Sequence, residues 1–229
     1  MSASNERVAI VAGAGGELGR ATAEKLAAAG STVVGVDRSE EGLKELPDGI
    51  RREAADPADP AAARSVVDRI AAEVGPPEVL VNTIGTYHLG EALTVTPEDL
   101  RLMIDVNLGA ALWLTQAVVP YLRERGSGSI VHVAARPGVQ PTAGMATYAV
   151  SKAALVHLTR VLDLELRPLG IRVNAVAPQL LDTAKNRPYL PPDLLAHAVA
   201  PDAVADIIVY LVSDAAAPVS GAIVPAYGP

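Results

Sequence analysis

An α/β domain built on a doubly wound parallel sheet, with helices on both faces, is predicted by three observations. Short continuous apolar runs recur along the chain, as strands buried on both faces require. Segments with helical apolar spacing alternate with them, and that alternation demands crossover connections between parallel strands. The first apolar run is followed at once by a cluster of glycines, "AGAGGELG".

The elements follow in order. "RVAIVA" (7–12) is the first strand, and "ELGRATAEKLAAAG" (17–30) is a helix closed by Gly30. "TVVGVD" (32–37) is a second buried strand and "GIRREAAD" (49–56) holds a weaker third. "PAAARSVVDRIAAEVG" (60–75) is amphipathic and helical, and "EVLVNTIG" (78–85) is a fourth strand. Two helices are expected near 97–105 and 107–125, then the strand "SIVHVA" (129–134) and a helix over 147–167. "IRVNAVAP" (171–178), a helix near 201–213 and a last strand at "AIVPA" complete the sheet. No repeat or long linker divides residues 1–229, so one domain is expected. The segment 184–200, "AKNRPYLPPDLLAHAVA", is the one irregular insertion. It follows the carboxyl end of a strand, the edge at which such sheets bind ligands, and is a candidate lid.

Composition narrows the function. Half the residues are hydrophobic and 20% are charged, a globular balance. Aromatics are 3% and Phe is absent, so the core rests on Ala, Val, Leu and Ile. The net charge of −7, with no basic run, argues against nucleic acid and anionic membranes as partners. The absence of cysteine excludes disulfides and thiolate metal sites and fits a cytoplasmic protein. The histidines His88, His132, His157 and His197 lack metal-ligand spacing, so no metal is expected. With a strand beginning at Arg7, no signal peptide is expected, and no apolar run approaches the roughly 20 residues of a membrane span.

Two constellations carry chemistry. Gly13, Gly15, Gly16 and Gly19 lie between the first strand and its helix, where backbone N–H groups can receive a pyrophosphate. Asp37 ends the second strand, placed to accept the adenosine ribose hydroxyls and to repel a 2′-phosphate. That favours NAD(H) over NADP(H), although the neighbouring Arg38 could receive a phosphate. Tyr148 and Lys152 stand four apart, on one helix face, as a proton donor beside an ammonium.

With these motifs in place the whole chain resembles the short-chain dehydrogenase/reductase family, whose fold is of the Rossmann type. Gly13 and Gly19, in a turn ending Leu18-Gly19, fit its glycine-rich turn, and Asp37 fits its NAD-type acid. Asp56 matches an adenine-contacting acid, and Asn82 and Gly85 fit a degraded Asn-Asn-Ala-Gly element. Asn107 matches the helix asparagine of the catalytic tetrad, and "YAVSK" supplies Tyr148 and Lys152. Pro178 and Thr183 fall in the segment that meets the nicotinamide carboxamide. The resemblance implies hydride transfer between nicotinamide and a carbonyl, alcohol or imine carbon, with Tyr148 exchanging the proton. Lys152 would lower the tyrosine pKa and hold the nicotinamide ribose, and Asn107 would support the proton relay. It also implies a homodimer or homotetramer.

Three residues depart from the pattern. Glu17 replaces a glycine near the phosphates and is expected to point to solvent; Gln179 replaces the glycine after Pro178. The serine that belongs thirteen residues before the tyrosine is Ala135. Losing such an oxyanion donor costs about 10²–10³ in rate where nothing replaces it. Arg136 and Thr142, in the same loop, are the candidate replacements, and His88, nearer the mouth of the site, is a candidate substrate contact; Tyr87 is another, since it falls where the family's dihydropteridine reductase branch places an aromatic residue against its ring substrate. That branch resembles this chain in having alanine at the serine position and in the "AGMATY" and "LDTAKNR" elements, which keeps an imine-type substrate open. Two alternatives stay open: a non-redox cyclase, dehydratase or isomerase using Tyr148, or a non-catalytic dinucleotide-binding protein.

Overall fold

Seven strands, β1 (Val8–Ala12), β2 (Thr32–Asp37), β3 (Arg51–Ala54), β4 (Val79–Asn82), β5 (Gly128–Val133), β6 (Ile171–Pro178) and β7 (Ile223–Ala226), form one sheet. Their order is β3-β2-β1-β4-β5-β6-β7 and every pairing is parallel. The structure is a computed structural model that describes residues 7–228. The strand order reverses between β1 and β4, and there the crossovers diverge and open a crevice at the carboxyl edge.

Parallel register sorts the strand side chains into two layers. Ile10, Leu80, Ile130 and Val173 align across β1, β4, β5 and β6 on one face. They pack under α3 (Pro60–Glu73), α5 (Ala110–Arg125) and α6 (Ala146–Leu166) through Val66, Ile70, Leu114, Leu122, Leu162 and Leu166. Val11, Val81 and Val131 face the other way, toward α1 (Glu17–Ala28) and α8 (Pro201–Val212). Burial on both faces explains why the strands read as unbroken apolar runs rather than alternating ones.

Short elements refine the expected pattern. A five-residue helix, α2 (Glu40–Lys44), follows β2 and is capped by the Ser39 hydroxyl; it is too short to show a periodicity. The insertion contains a 3₁₀ turn at Arg187–Tyr189 and one helical turn, α7 (Pro192–Leu195), and is tied back by a bridge between Leu181 and Val199.

One expectation is corrected. The two helices expected near 97–105 and 107–125 are a single run. α4 (Pro97–Ile104), capped by Thr96, passes through a π-helical turn at Asp105–Gly109 into α5 without a break. A π turn adds a residue to one helical turn and so re-aims a side chain; the residue re-aimed is Asn107. The continuous helix, Pro97–Arg125, is 29 residues and is long and apolar enough to cross a bilayer by length and composition, contrary to the expectation that no run came close. Leu114, Val118 and Leu122 are instead buried against the sheet, so it serves as a core helix.

His132, on β5, is fully buried, and neither ring nitrogen has a protein partner. It lies beside Asn82 in the β4–β5 register, whose Nδ2 is also unpartnered. Burial, helped by the nearby Lys152 charge, pushes the imidazole down to about 4 from 6.5. The sign follows from proton uptake. Between pH 6.5 and about 4 the unfolded chain binds a proton that the folded chain refuses, so stability falls with acid across that window. The loss assigned to His132 is on the order of 3 kcal/mol. Urea unfolding of wild type and His132→Gln at neutral pH and near pH 4 checks this: the variant should lose markedly less stability, and an equal loss refutes it.

Candidate active site

The crevice begins at the glycine-rich turn. Gly13 leaves β1 with φ +84°, and a Cβ there would lie 2.5 Å from Thr83 Oγ1. A Cβ on Gly19 would fall 2.1 Å from the Gly13 carbonyl oxygen, so only glycine lets α1 start this close to β1. Gly16 precedes α1 and offers no side-chain cap, whereas Asp59 and Thr96 cap α3 and α4. The first N–H groups of α1 therefore face the turn without a side-chain acceptor, a cradle for an anion.

Asp37 serves this turn directly. Its Oδ2 accepts the Gly15 N–H at 3.0 Å and its Oδ1 accepts the Ser39 N–H at 2.9 Å. Each oxygen keeps a lone pair for a ribose hydroxyl. Arg38 is exposed and has no ion-pair partner among the described residues. Asp56 is exposed beyond β3 and accepts the Ala58 N–H at 3.0 Å. Glu17 does not point to solvent as expected: its Oε1 accepts the Ala184 N–H of the insertion at 2.8 Å. The carboxylate found at the phosphate turn thus fastens the insertion to α1.

The residues expected to carry the proton transfer converge from three elements. Asn107, turned by the π segment, accepts the Thr86 N–H at 2.8 Å and donates to the Thr86 carbonyl and to Ser151 Oγ, both at 2.9 Å. Ser151 donates to the Tyr148 carbonyl at 2.8 Å, closing a link from α6 to the loop after β4. Lys152 is buried and its Nζ donates to the Val133 carbonyl of β5 at 2.8 Å. A Cβ on Gly85 would sit 3.1 Å from Lys152 Nζ and 3.2 Å from Asn107 Oδ1, so the absent side chain is what lets this loop lie on both. Asn82 holds the loop's start by accepting the Ile84 N–H at 3.1 Å.

The expected effect of Lys152 on Tyr148 is not seen in the chain by itself. Burial raises the phenol to about 12 and lowers the ammonium to about 8. Both groups lose solvation, and the ammonium is directed at a carbonyl rather than at the phenol. With these shifts both groups carry a proton at neutral pH.

Tyr148, Lys152 and Gly85 line a cleft of about 640 Å³ together with Leu18, Thr86, Tyr87 and Pro178. Ala135, Arg136 and Thr142 line it too, so the methyl at the missing-serine position faces the same space as the tyrosine. The insertion contributes Asn186 and Leu190 to the lining. Thr142 is turned toward the Gln140 carbonyl at 3.4 Å, and Arg136 binds Gln140 and Gln179. Two expected contacts lie elsewhere. His88 is outside the cleft lining because its Nδ1 faces Asp99, at 3.5 Å, beside the start of α4. Thr183 also stays outside the lining, its Oγ1 accepting the Asn186 N–H at 3.2 Å. Ser151 and Gln140 escaped the sequence reading; the serine's position in "YAVSK", three after Tyr148, was the available signal.

Comparison with known proteins agrees with this geometry. Residues 7–192 match the sequence model of the short chain dehydrogenases. The chain is 33% identical over 238 residues to the 4-formylbenzenesulfonate dehydrogenase TsaC1/TsaC2 of Comamonas testosteroni, covering 95% of this chain and 94% of that one. It is 31% identical over 234 residues to the 3-oxoacyl-[acyl-carrier-protein] reductase FabG of Thermotoga maritima, covering 95% of each. The crystal structure of gox2181 superposes with a TM-score of 0.91 at 28% identity, covering 96% of this chain and 93% of the other. Fold, glycine-rich turn and tyrosine–lysine pair thus meet in one conclusion: the chain belongs to the short-chain dehydrogenase/reductase family of oxidoreductases, which use nicotinamide dinucleotides.

Proposed function

We propose that this protein is an NAD(H)-dependent oxidoreductase that moves hydride between nicotinamide and a carbonyl or imine carbon, with Tyr148 as the acid–base group. The observation that carries the reading is the shared cleft. Tyr148 and a buried, positively charged Lys152 open into it beside the glycine-rich turn, where the uncapped α1 offers its N–H groups. The turn, α1 and Asp37 would hold the dinucleotide, and Gly85 packs the loop after β4 against Lys152. The nicotinamide supplies or accepts the hydride. A carbonyl carbon that gains hydride pushes its π pair onto oxygen, and that oxygen takes the Tyr148 proton. Lys152, one helical turn along α6 and bonded to the Val133 carbonyl, places a cation on the same side of the cleft as the phenolate that results. Asn107 and Ser151 hold the Tyr148 turn of α6 against the loop after β4.

Burial raises the phenol to about 12, so at neutral pH it carries the proton that a reduction needs. Both relatives' names contain a carbonyl substrate, a formyl group and a 3-oxoacyl group, which supports the same class. Ala135 fits a substrate that needs less oxyanion support than a simple ketone. A quinonoid pterin is one such substrate; an aldehyde, whose carbonyl is more electrophilic, is another.

Tyr148→Phe keeps the ring and removes the proton, so turnover should fall by about 10²–10⁴. In wild type, kcat/KM for reduction should hold up to about pH 8 and decline above it, as Lys152 loses its proton. Absorbance of NADH during turnover reads both. Conversion with no NADH consumed would replace this reading by a cyclase, dehydratase or isomerase.

Asp37 should make NADH bind about tenfold or more tightly than NADPH, the scale of one charge-assisted contact. Calorimetric titration of the two decides it, and tighter NADPH binding would mean that the exposed Arg38 controls the site.

The assembly we propose is a homodimer or homotetramer, since Leu100 and Leu102 on α4 and Val150 and Leu164 on α6 are exposed apolar side chains. Light scattering at micromolar concentration should report a multiple of 23.6 kDa; a monomer counts against it.

A further inference from the structure

Two departures from the family pattern, distant in sequence, meet in the cleft. Arg136 follows the position where serine is replaced by Ala135, and Gln179 replaces the glycine after Pro178. Arg136 Nη1 donates to Gln179 Oε1 at 2.6 Å and its Nε donates to Gln140 Oε1 at 3.0 Å. The guanidinium also lies over the Tyr227 ring, 5.2 Å from its centroid. These contacts fix its plane from three sides, yet every partner is neutral. No carboxylate pairs with Arg136 among the described residues, whereas several other arginines, including Arg51, Arg64, Arg125 and Arg187, pair with one.

The rest of the lining sharpens the point. The protein carries a net charge of −7, yet among the described residues no Asp or Glu lines the cleft, and the charged residues that do are Lys152 and Arg136. Lys152 is buried and directed at Val133, which leaves Arg136 as the accessible cation. Two of its five N–H donors are used, so the others remain for a ligand. A guanidinium held in orientation by neutral amides keeps its charge and is already organised for an acid group. Leu89, Met145, Leu180, Leu181 and Leu190 make the remaining walls apolar.

We propose that Arg136, positioned by Gln140 and Gln179, is the residue that selects the substrate: an apolar body bearing a carbonyl and, apart from it, a carboxylate or sulfonate. This rests on the reading of the cleft as the site of carbonyl reduction. The reaction is the hydride and proton addition described above, and the acid group takes no part in it. Gln179 then has a purpose, since the usual glycine has no side chain with which to hold the arginine.

The test compares 4-carboxybenzaldehyde with its neutral methyl ester, using NADH and the full chain. Arg136→Gln should lower the acid-to-ester ratio of kcat/KM by about 10- to 100-fold, the loss of one charge-assisted contact. Arg136→Lys, which keeps the charge without the fork, should recover part of the ratio. A ratio unchanged in Arg136→Gln overturns the proposal. Calorimetric titration of wild type and Arg136→Gln with benzoate and with benzenesulfonate separates this proposal from the reading beneath it. If wild type reduces neither aldehyde but binds either anion in an Arg136-dependent way, the anion site stands and carbonyl reduction of this class falls. Binding of both anions that is absent, or indifferent to Arg136, overturns the anion site whatever the turnover.

Discussion

A single buried ammonium organises this molecule. Lys152 reaches from α6 to the Val133 carbonyl at the end of β5, in a place without solvent. Keeping its charge there costs on the order of 3 kcal/mol, the size of its displacement from 10.5 to about 8. That cost applies below about pH 8 and is relieved as pH rises toward 10.5. The surrounding chain accommodates the group by approaching it without side chains. A Cβ on Gly138 would fall 2.6 Å from the Lys152 carbonyl carbon, and Gly85 lies against its Nζ. Glycine at 85 lets one loop close on the charge, and glycine at 138 lets another close on the helix backbone that carries it.

The π turn at Asp105–Gly109 belongs to the same arrangement. A regular helix from Pro97 to Arg125 would send the Asn107 side chain in another direction. The wider turn lets it bond both polar atoms of the Thr86 backbone and the Ser151 hydroxyl. Asn107 is fully buried, so its amide must be satisfied within the protein, and these contacts do so. The loop after β4, the long helix and the start of α6 are thereby held as one body around Tyr148.

The unusual residues of this chain are connected to one another rather than scattered. Glu17 reaches the Ala184 N–H and so links the glycine-rich turn to the insertion that lines part of the cleft. Gln179 reaches Arg136 across the same cleft. Each departure from the family pattern replaces a small or hydroxylated residue, and two of the three add a polar contact between segments. The cleft consequently has a polar corner in which Gln179 and Arg136 are bonded to each other.

The sequence by itself determined the sheet, the helices around it, the glycine-rich turn and the Tyr148/Lys152 pair, because these depend on local periodicity and short spacing. Helix periodicity placed two residues four apart on one face, and continuous apolar runs marked strands covered on both sides. The parallel registers, the single long helix and the side-chain partners were decided only in three dimensions. Nothing near Asn107 in sequence signals a π turn, since its cause is a loop some twenty residues earlier and a serine on α6. His88 reads as a mouth residue from its neighbours, but Asp99 draws it aside. Lys152 reads as a partner that lowers a phenol's pKa, but its ammonium is directed at the Val133 carbonyl and burial raises the phenol. Charge, burial and hydrogen bonding are properties of what surrounds a residue, and the fold alone assembles those surroundings.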